Sequence, residues 1–145
     1  MYVRAVSRGV WKRPRPDDAV AELTRRGTSV SFYRCDSQRS VELVAVALSA
    51  RREFAGPFDY LWLEDRLLDP FPISLTPGAT PLPDANRLHR DVDLSAGRAL
   101  QLVSRIWSEG PSLRRIREPE LRAIAARLRE EGQPIPPESW LLPER

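Results

Sequence analysis

The sequence predicts a single-domain α+β protein, a two-layer sandwich in which a small mixed β-sheet packs with about four helices. Three observations lead there. Apolar residues alternate over short stretches near residues 3, 31, 60 and 90, as half-buried strands require, and recur at helical spacing over 41–50, 99–107 and 121–128. The strands bunch in the middle of the chain, which argues against a doubly wound fold. The 145 residues, 41% of them hydrophobic, with four Trp, four Phe and three Tyr, suit one core.

Tyr2 to Val10 reads as a first strand with both faces partly buried: Tyr2, Arg4 and Val6 lie on one side, Val3 and Ala5 on the other. Trp11 follows, and the two prolines of KRPRP forbid regular structure. Asp17 and Asp18 offer N-caps for a helix through Arg26, with Val20 and Leu23 facing inward and Gly27 as its stop. TSVSFYRCD, Thr28 to Asp36, has the β-branched and aromatic content of a second strand, with Ser31, Tyr33 and Cys35 opposite Val30, Phe32 and Arg34. Ser37 or Ser40 then caps SVELVAVALSARRE, whose wide apolar stripe predicts a helix packed on more than one side.

Gly56 and Pro57 break the chain before FDYLWLEDRLL, a third strand running into a short turn, and Phe71 to Leu75 is a short extended piece. TPGATPLPD predicts a rigid loop without helix. Asn86 to Leu94 reads as a strand that places His89, Asp91 and Asp93 on one face and Leu88, Arg90, Val92 and Leu94 on the other. Ser95 can cap a helix to Glu109, inward through Ala99, Leu100, Val103, Ile106 and Trp107, and Gly110 and Pro111 end it. Pro119 opens a last helix that runs to Glu131, with Leu121, Ile124, Ala125 and Leu128 inward and Gly132 beyond. Residues 1–132 thus form the globular domain, and the Pro-rich residues 133–145 an extended C-terminal tail. Trp140, Leu141 and Leu142 are costly to leave in water, so they dock on this domain or on a partner and are the candidate partner-binding residues.

The chain has no apolar run near the ~20 residues that cross a bilayer and opens without the apolar segment of a secretory signal, so it reads as cytoplasmic, with no membrane partner. A single cysteine forms neither an internal disulfide nor a cysteine zinc site, in keeping with a reducing compartment; no metal and no cofactor are expected. Arginine outnumbers lysine 22 to one, a bias that a GC-rich bacterial genome produces without functional pressure. Charge is unevenly placed: residues 1–52 carry 11 bases and 5 acids, residues 53–94 carry 3 and 8, and residues 95–145 carry 9 and 7.

Candidate chemistry is sparse. His89, Asp91 and Asp93 supply the parts of a general base with an orienting carboxylate, and Cys35 on a neighbouring strand supplies a nucleophile that His89 would activate. HxDxD, however, carries no family-level specificity, and a polar, solvated strand face is the simpler account of it. Arg8, Lys12, Arg13 and Arg15 gather around Trp11, the ingredients of a single-strand nucleic-acid platform, although a net charge of +3 is low for a dedicated binder. Neither GxxxxGK[ST] nor GxGxxG is present, which disfavours nucleotide enzymes of the common classes. The first functional reading is a non-enzymatic protein-interaction or accessory module of a bacterial cytosolic system, bound to a protein partner or to a second copy of itself. The alternatives are a nucleic-acid-binding protein using the basic N-terminal third, and a small hydrolase or transferase centred on His89.

Overall fold

Side-chain alternation in the strands decides where the core lies. In the computed structural model, which describes residues 1–13 and 15–143, Tyr2 points to one side of the first strand and Val3 to the other, and both are buried. A strand that is apolar on both sides needs cover on both faces, and the helices provide it.

In chain order the elements are β1 (Tyr2–Ala5), α1 (Arg8–Lys12), α2 (Pro16–Leu23), β2 (Ser29–Arg34), α3 (Gln38–Ser49), β3 (Phe58–Leu63) and α4 (Asp65–Leu68). There follow β4 (Ile73–Ser74), α5 (Pro83–Asn86), β5 (His89–Asp93), α6 (Arg98–Glu109), β6 (Leu113–Ile116) and α7 (Glu118–Glu130). The strands form one sheet in the order β4-β5-β2-β1-β3-β6, and all pairings are antiparallel. Val3, Tyr33, Phe58 and Tyr60 belong to a cluster covered by α3, α5 and α7; Tyr2, Phe32, Leu61, Leu63 and Val92 belong to a second cluster covered by α1, α2, α4 and α6. The single-domain α+β class is as expected. Two details of it change: the sheet is antiparallel where a mixed one was expected, and helices on both faces give three layers in place of two.

Local chemistry explains most boundaries. Ser37 and Ser40 both act at the start of α3: Ser37 Oγ accepts from the Ser40 amide at 3.1 Å, and Ser40 Oγ accepts from the Ser37 amide at 3.0 Å. Such a reciprocal cap contributes about 1 kcal/mol. Pro16, Pro83 and Pro119 sit in the first turns of α2, α5 and α7, where a missing N–H costs nothing. Four of the helices are the four expected ones, and α1, α4 and α5 are single turns added to them.

Three stretches depart from expectation. The first strand stops at Ala5, and Arg8–Lys12 turns into a short helix that carries Trp11 into the core, stacked on Trp107 with centroids 5.1 Å apart. Burying the indole outweighs the extension of an alternating pattern. β6 was not anticipated, because its four residues Leu113–Ile116 hold two adjacent arginines between the apolar ends; as an edge strand it pairs along one side only, through Phe58–Leu61 of β3. The C-terminal segment folds back on its own domain. Ile135, Leu141 and Leu142 are buried in the α3–α7 cluster, and Trp140 packs against it. The partner-binding expectation for Trp140, Leu141 and Leu142 is therefore corrected: the apolar surface that motivated it is spent inside this chain. Among the described residues, no helix is long and apolar enough to cross a membrane.

Candidate functional site

The sheet is incomplete at one place. β2 pairs with β5 along five positions, from Ser29 with Asp93 to Tyr33 with His89, but with β1 at only two, Tyr2 with Arg34 and Val3 with Tyr33. Beyond Val3 a side chain replaces the ladder: Arg4 Nη1 donates to the Ser31 carbonyl at 2.9 Å. Burial lowers the Arg4 guanidinium from its ordinary value while Glu22 pulls the other way, and its buried Nε has no hydrogen-bond partner. An arginine remains charged in such a setting.

At this split the protein forms a cleft of about 670 Å³, lined by Arg4, Arg25, Arg26, Arg51 and Arg52, with Ser31 and Tyr33 in its wall. Two carboxylates also line it, and both are already engaged. Glu22 accepts from Trp11 Nε1 at 2.8 Å and from the Ser7 amide at 3.0 Å. Asp59 accepts from Arg115 Nε at 2.7 Å. Arg52 is held by the Pro57 and Gly56 carbonyls. Arg25, Arg26 and Arg51 have no carboxylate partner among the described residues, so the cleft carries uncompensated positive charge. Burial raises the Tyr33 hydroxyl above its usual range, and Arg51 is the strongest charge opposing that rise.

Behind this wall lies His89, 8% exposed. Its Nδ1 is 2.7 Å from the Thr76 carbonyl and its Nε2 is 2.8 Å from Ser31 Oγ. A carbonyl can only accept, so the neutral ring carries its proton on Nδ1, which leaves the Nε2 lone pair to accept from the Ser31 hydroxyl. Asp91 accepts the Thr76 hydroxyl, and its Oδ1 lies 3.7 Å from His89 Nε2. The Tyr33 ring stands edge-on to the imidazole at 5.3 Å and 75°.

The Pro/Gly-rich loop holds this arrangement. Asn86 Oδ1 accepts from the Thr80 amide at 2.9 Å and its Nδ2 donates to the Thr80 carbonyl at 2.9 Å, pinning the loop to α5. Gly78 permits the close approach: a Cβ there would lie 3.0 Å from Asn86 Oδ1 and 3.3 Å from His89 Cβ. The loop thus brings the Thr76 carbonyl onto a ring whose own strand fixes its position.

The other anticipated residues disperse. Asp93 shares the β5 face but accepts from the amide and hydroxyl of Ser95, donors that hold its carboxyl below the ordinary range. Cys35 is fully buried, and burial pushes its thiol up to about 12, which removes it as a nucleophile. It makes no hydrogen bond to His89, whose two nitrogens are taken by Thr76 and Ser31. Around the N-terminal basic segment, Lys12, Arg13 and Arg15 are exposed and Arg8 lies 3.8 Å from Asp59, but Trp11 has no exposed surface to stack on a base. Trp140 donates to the Ser49 carbonyl at 3.1 Å and sits between the guanidinium groups of Arg52 and Arg122, at 5.3 and 5.2 Å.

Sequence reasoning missed Ser31, Thr76 and the cleft arginines. The available signal was weak: a small hydroxyl on a strand face shared with Tyr33, and a first third rich in arginine. Among the described residues, no group of three or more His, Cys, Asp or Glu side chains is arranged to hold a metal ion. Fold and site together define the class, a single-domain α+β protein with an arginine-lined cleft at a sheet split. Comparison of the chain with protein-family models, with curated proteins and with solved structures returned no match.

Proposed function

We propose that this protein binds a small phosphorylated ligand in the cleft between β1 and β2. The observation that carries the reading is the unmatched charge of Arg25, Arg26 and Arg51 around a cavity whose own carboxylates are engaged elsewhere. Guanidinium groups match phosphate oxygens bidentately and stay charged when partly desolvated. The cavity volume falls within the ~300–1,000 Å³ range of small-molecule sites. A single-stranded nucleic acid is favoured less, since the indole of Trp11 faces the core and the stacking platform it was to provide is missing.

The reading retains the basic N-terminal third as the working region and moves the contacts from Arg8–Arg15 to Arg4, Arg25, Arg26, Arg51 and Arg52. Calorimetric titration with pyrophosphate and a panel of nucleotides and sugar phosphates tests it. Binding should weaken with added salt, and Arg51→Gln or Arg26→Gln should each cost roughly tenfold in affinity, about 1.4 kcal/mol. No heat from any member of the panel at low salt overturns the proposal. Tighter binding of an oligonucleotide, with a steeper salt slope than any small ligand shows, overturns the small-ligand class.

A further inference from the structure

We infer that Ser31 and His89 form a nucleophile and general-base pair that transfers a phosphoryl group from a phosphomonoester bound in the cleft. This inference rests on the anion-binding reading above and adds chemistry to it. Ser31 lines the cleft, whereas His89 stands behind it and touches the serine through Nε2 at 2.8 Å. Three groups are needed for an activated hydroxyl: the nucleophile, a base within hydrogen-bond reach, and a third group that fixes the tautomer of the base. Here the third group is the Thr76 carbonyl, at 2.7 Å from Nδ1. It leaves the lone pair of Nε2 directed at Ser31 Oγ.

The surroundings suit the charges that the step creates. Asp91 Oδ1, 3.7 Å from Nε2, favours the imidazolium formed when Ser31 gives up its proton. Asp91 is in turn fixed by the Thr76 hydroxyl, so one residue of the loop orients both base and carboxylate. Arg51 and Arg4 border the same wall as Ser31, where they meet the oxygens of the transferring group. A buried histidine with both nitrogens bonded can also be a structural strut. What distinguishes this one is that its serine partner opens onto a cationic cleft.

The reaction balances without an added reagent other than water. Ser31 Oγ bonds to phosphorus as its proton passes to His89 Nε2. The bond from phosphorus to the ester oxygen breaks, and the leaving oxygen takes that proton to depart as the alcohol. Water then gives a proton to Nε2 and bonds to phosphorus, the Ser31 Oγ–phosphorus bond breaks, and Oγ recovers its proton from Nε2. Phosphate leaves with the original pair restored.

Three measurements on the full chain decide the matter: turnover of p-nitrophenyl phosphate, labelling by a fluorophosphonate, and pyrophosphate binding. Wild-type protein should release nitrophenol and take one fluorophosphonate on Ser31, and excess pyrophosphate should slow the labelling. Ser31→Ala should lose at least 100-fold in turnover and all labelling, a far larger loss than any change in its pyrophosphate affinity. His89→Gln should slow labelling comparably. Asp91→Asn tests positioning: the labelling rate should fall severalfold with pyrophosphate affinity unchanged, and a melting curve matching wild type shows that the fold is kept. If pyrophosphate binds but Ser31 takes no label and no nitrophenol appears, the catalytic inference is overturned and the binding reading stands. If Ser31 is labelled but pyrophosphate neither binds nor protects, the phosphomonoester substrate is overturned.

Discussion

On the surface shared by α3 and α7, arginine finds its match inside the chain, whereas in the cleft at the β1–β2 split it does not. Arg39 meets Glu131 at 2.6 Å and Arg127 meets Glu42 at 2.7 Å, and beneath them the C-terminal segment closes the layer with Leu141 and Leu142. In the cleft, Arg25, Arg26 and Arg51 surround a cavity of about 670 Å³ with no carboxylate partner among the described residues. Both regions draw on the same arginine-rich composition. The difference shows that composition says little about function here, and that the state of each guanidinium's neighbours says more. A region with its polar groups paired and its apolar groups covered contributes to stability; one with charge left over is available to a ligand.

Damage to the covered layer should therefore cost stability, and damage to the cleft should cost binding. The largest effect is expected from Leu141→Ala. The side chain is 1% exposed in the α3–α7 cluster, and truncation should destabilise by about 2–5 kcal/mol in denaturant unfolding, with pyrophosphate affinity of the folded protein unchanged. A variant of wild-type stability would mean that the tail is not part of the core and would reopen the partner-binding reading of Trp140, Leu141 and Leu142.

Cys35 provides a pH-dependent probe of the same layer. Its thiol is raised from 9.0 to about 12 by burial, so the folded state holds the proton more tightly than the unfolded chain does. The resulting contribution is fully present below pH 9 and lost as pH rises toward 12. The stability of wild type relative to Cys35→Ala, followed by chemical denaturation from pH 8 upward, should decline across that window by on the order of a few kcal/mol. A flat difference would mean that the thiol reaches solvent in the folded state.

A double-mutant cycle on Arg127 and Glu42 should return a coupling of only ~0.2–1 kcal/mol, shrinking with salt, because Arg127 is half exposed. A coupling several times larger would make this pair a structural element in its own right. The smallest effect on stability is expected for Arg25→Gln, Arg26→Gln and Arg51→Gln. Each should change unfolding free energy by no more than about 0.5 kcal/mol while weakening pyrophosphate binding. Marked destabilisation by these variants would dissolve the contrast between the regions.

What could be read from the chain was local. The strands at β2, β3 and β5 and the four long helices follow from side-chain period, which depends only on near neighbours. So do the Ser37 and Ser40 cap of α3 and the placing of His89, Asp91 and Asp93 on one strand face. The two buried faces of β1 pointed to cover on both sides, but antiparallel pairing throughout, the elements that supply that cover and the edge position of β6 were not legible, since they depend on which distant segments meet. The same distance explains the site. Ser31 and His89 are 58 residues apart in sequence and touch only because Tyr33 pairs with His89 and Ser31 with Asp91. Trp11 and Trp140 invited readings as exposed binding groups, yet the folded chain had an acceptor for each indole N–H: the Glu22 carboxylate for one, the Ser49 carbonyl for the other. Periodicity specifies which face of an element is apolar. The tertiary fold alone decides which apolar groups find cover within the chain and which charges are left without a partner, because both outcomes are sums over neighbours far away in sequence.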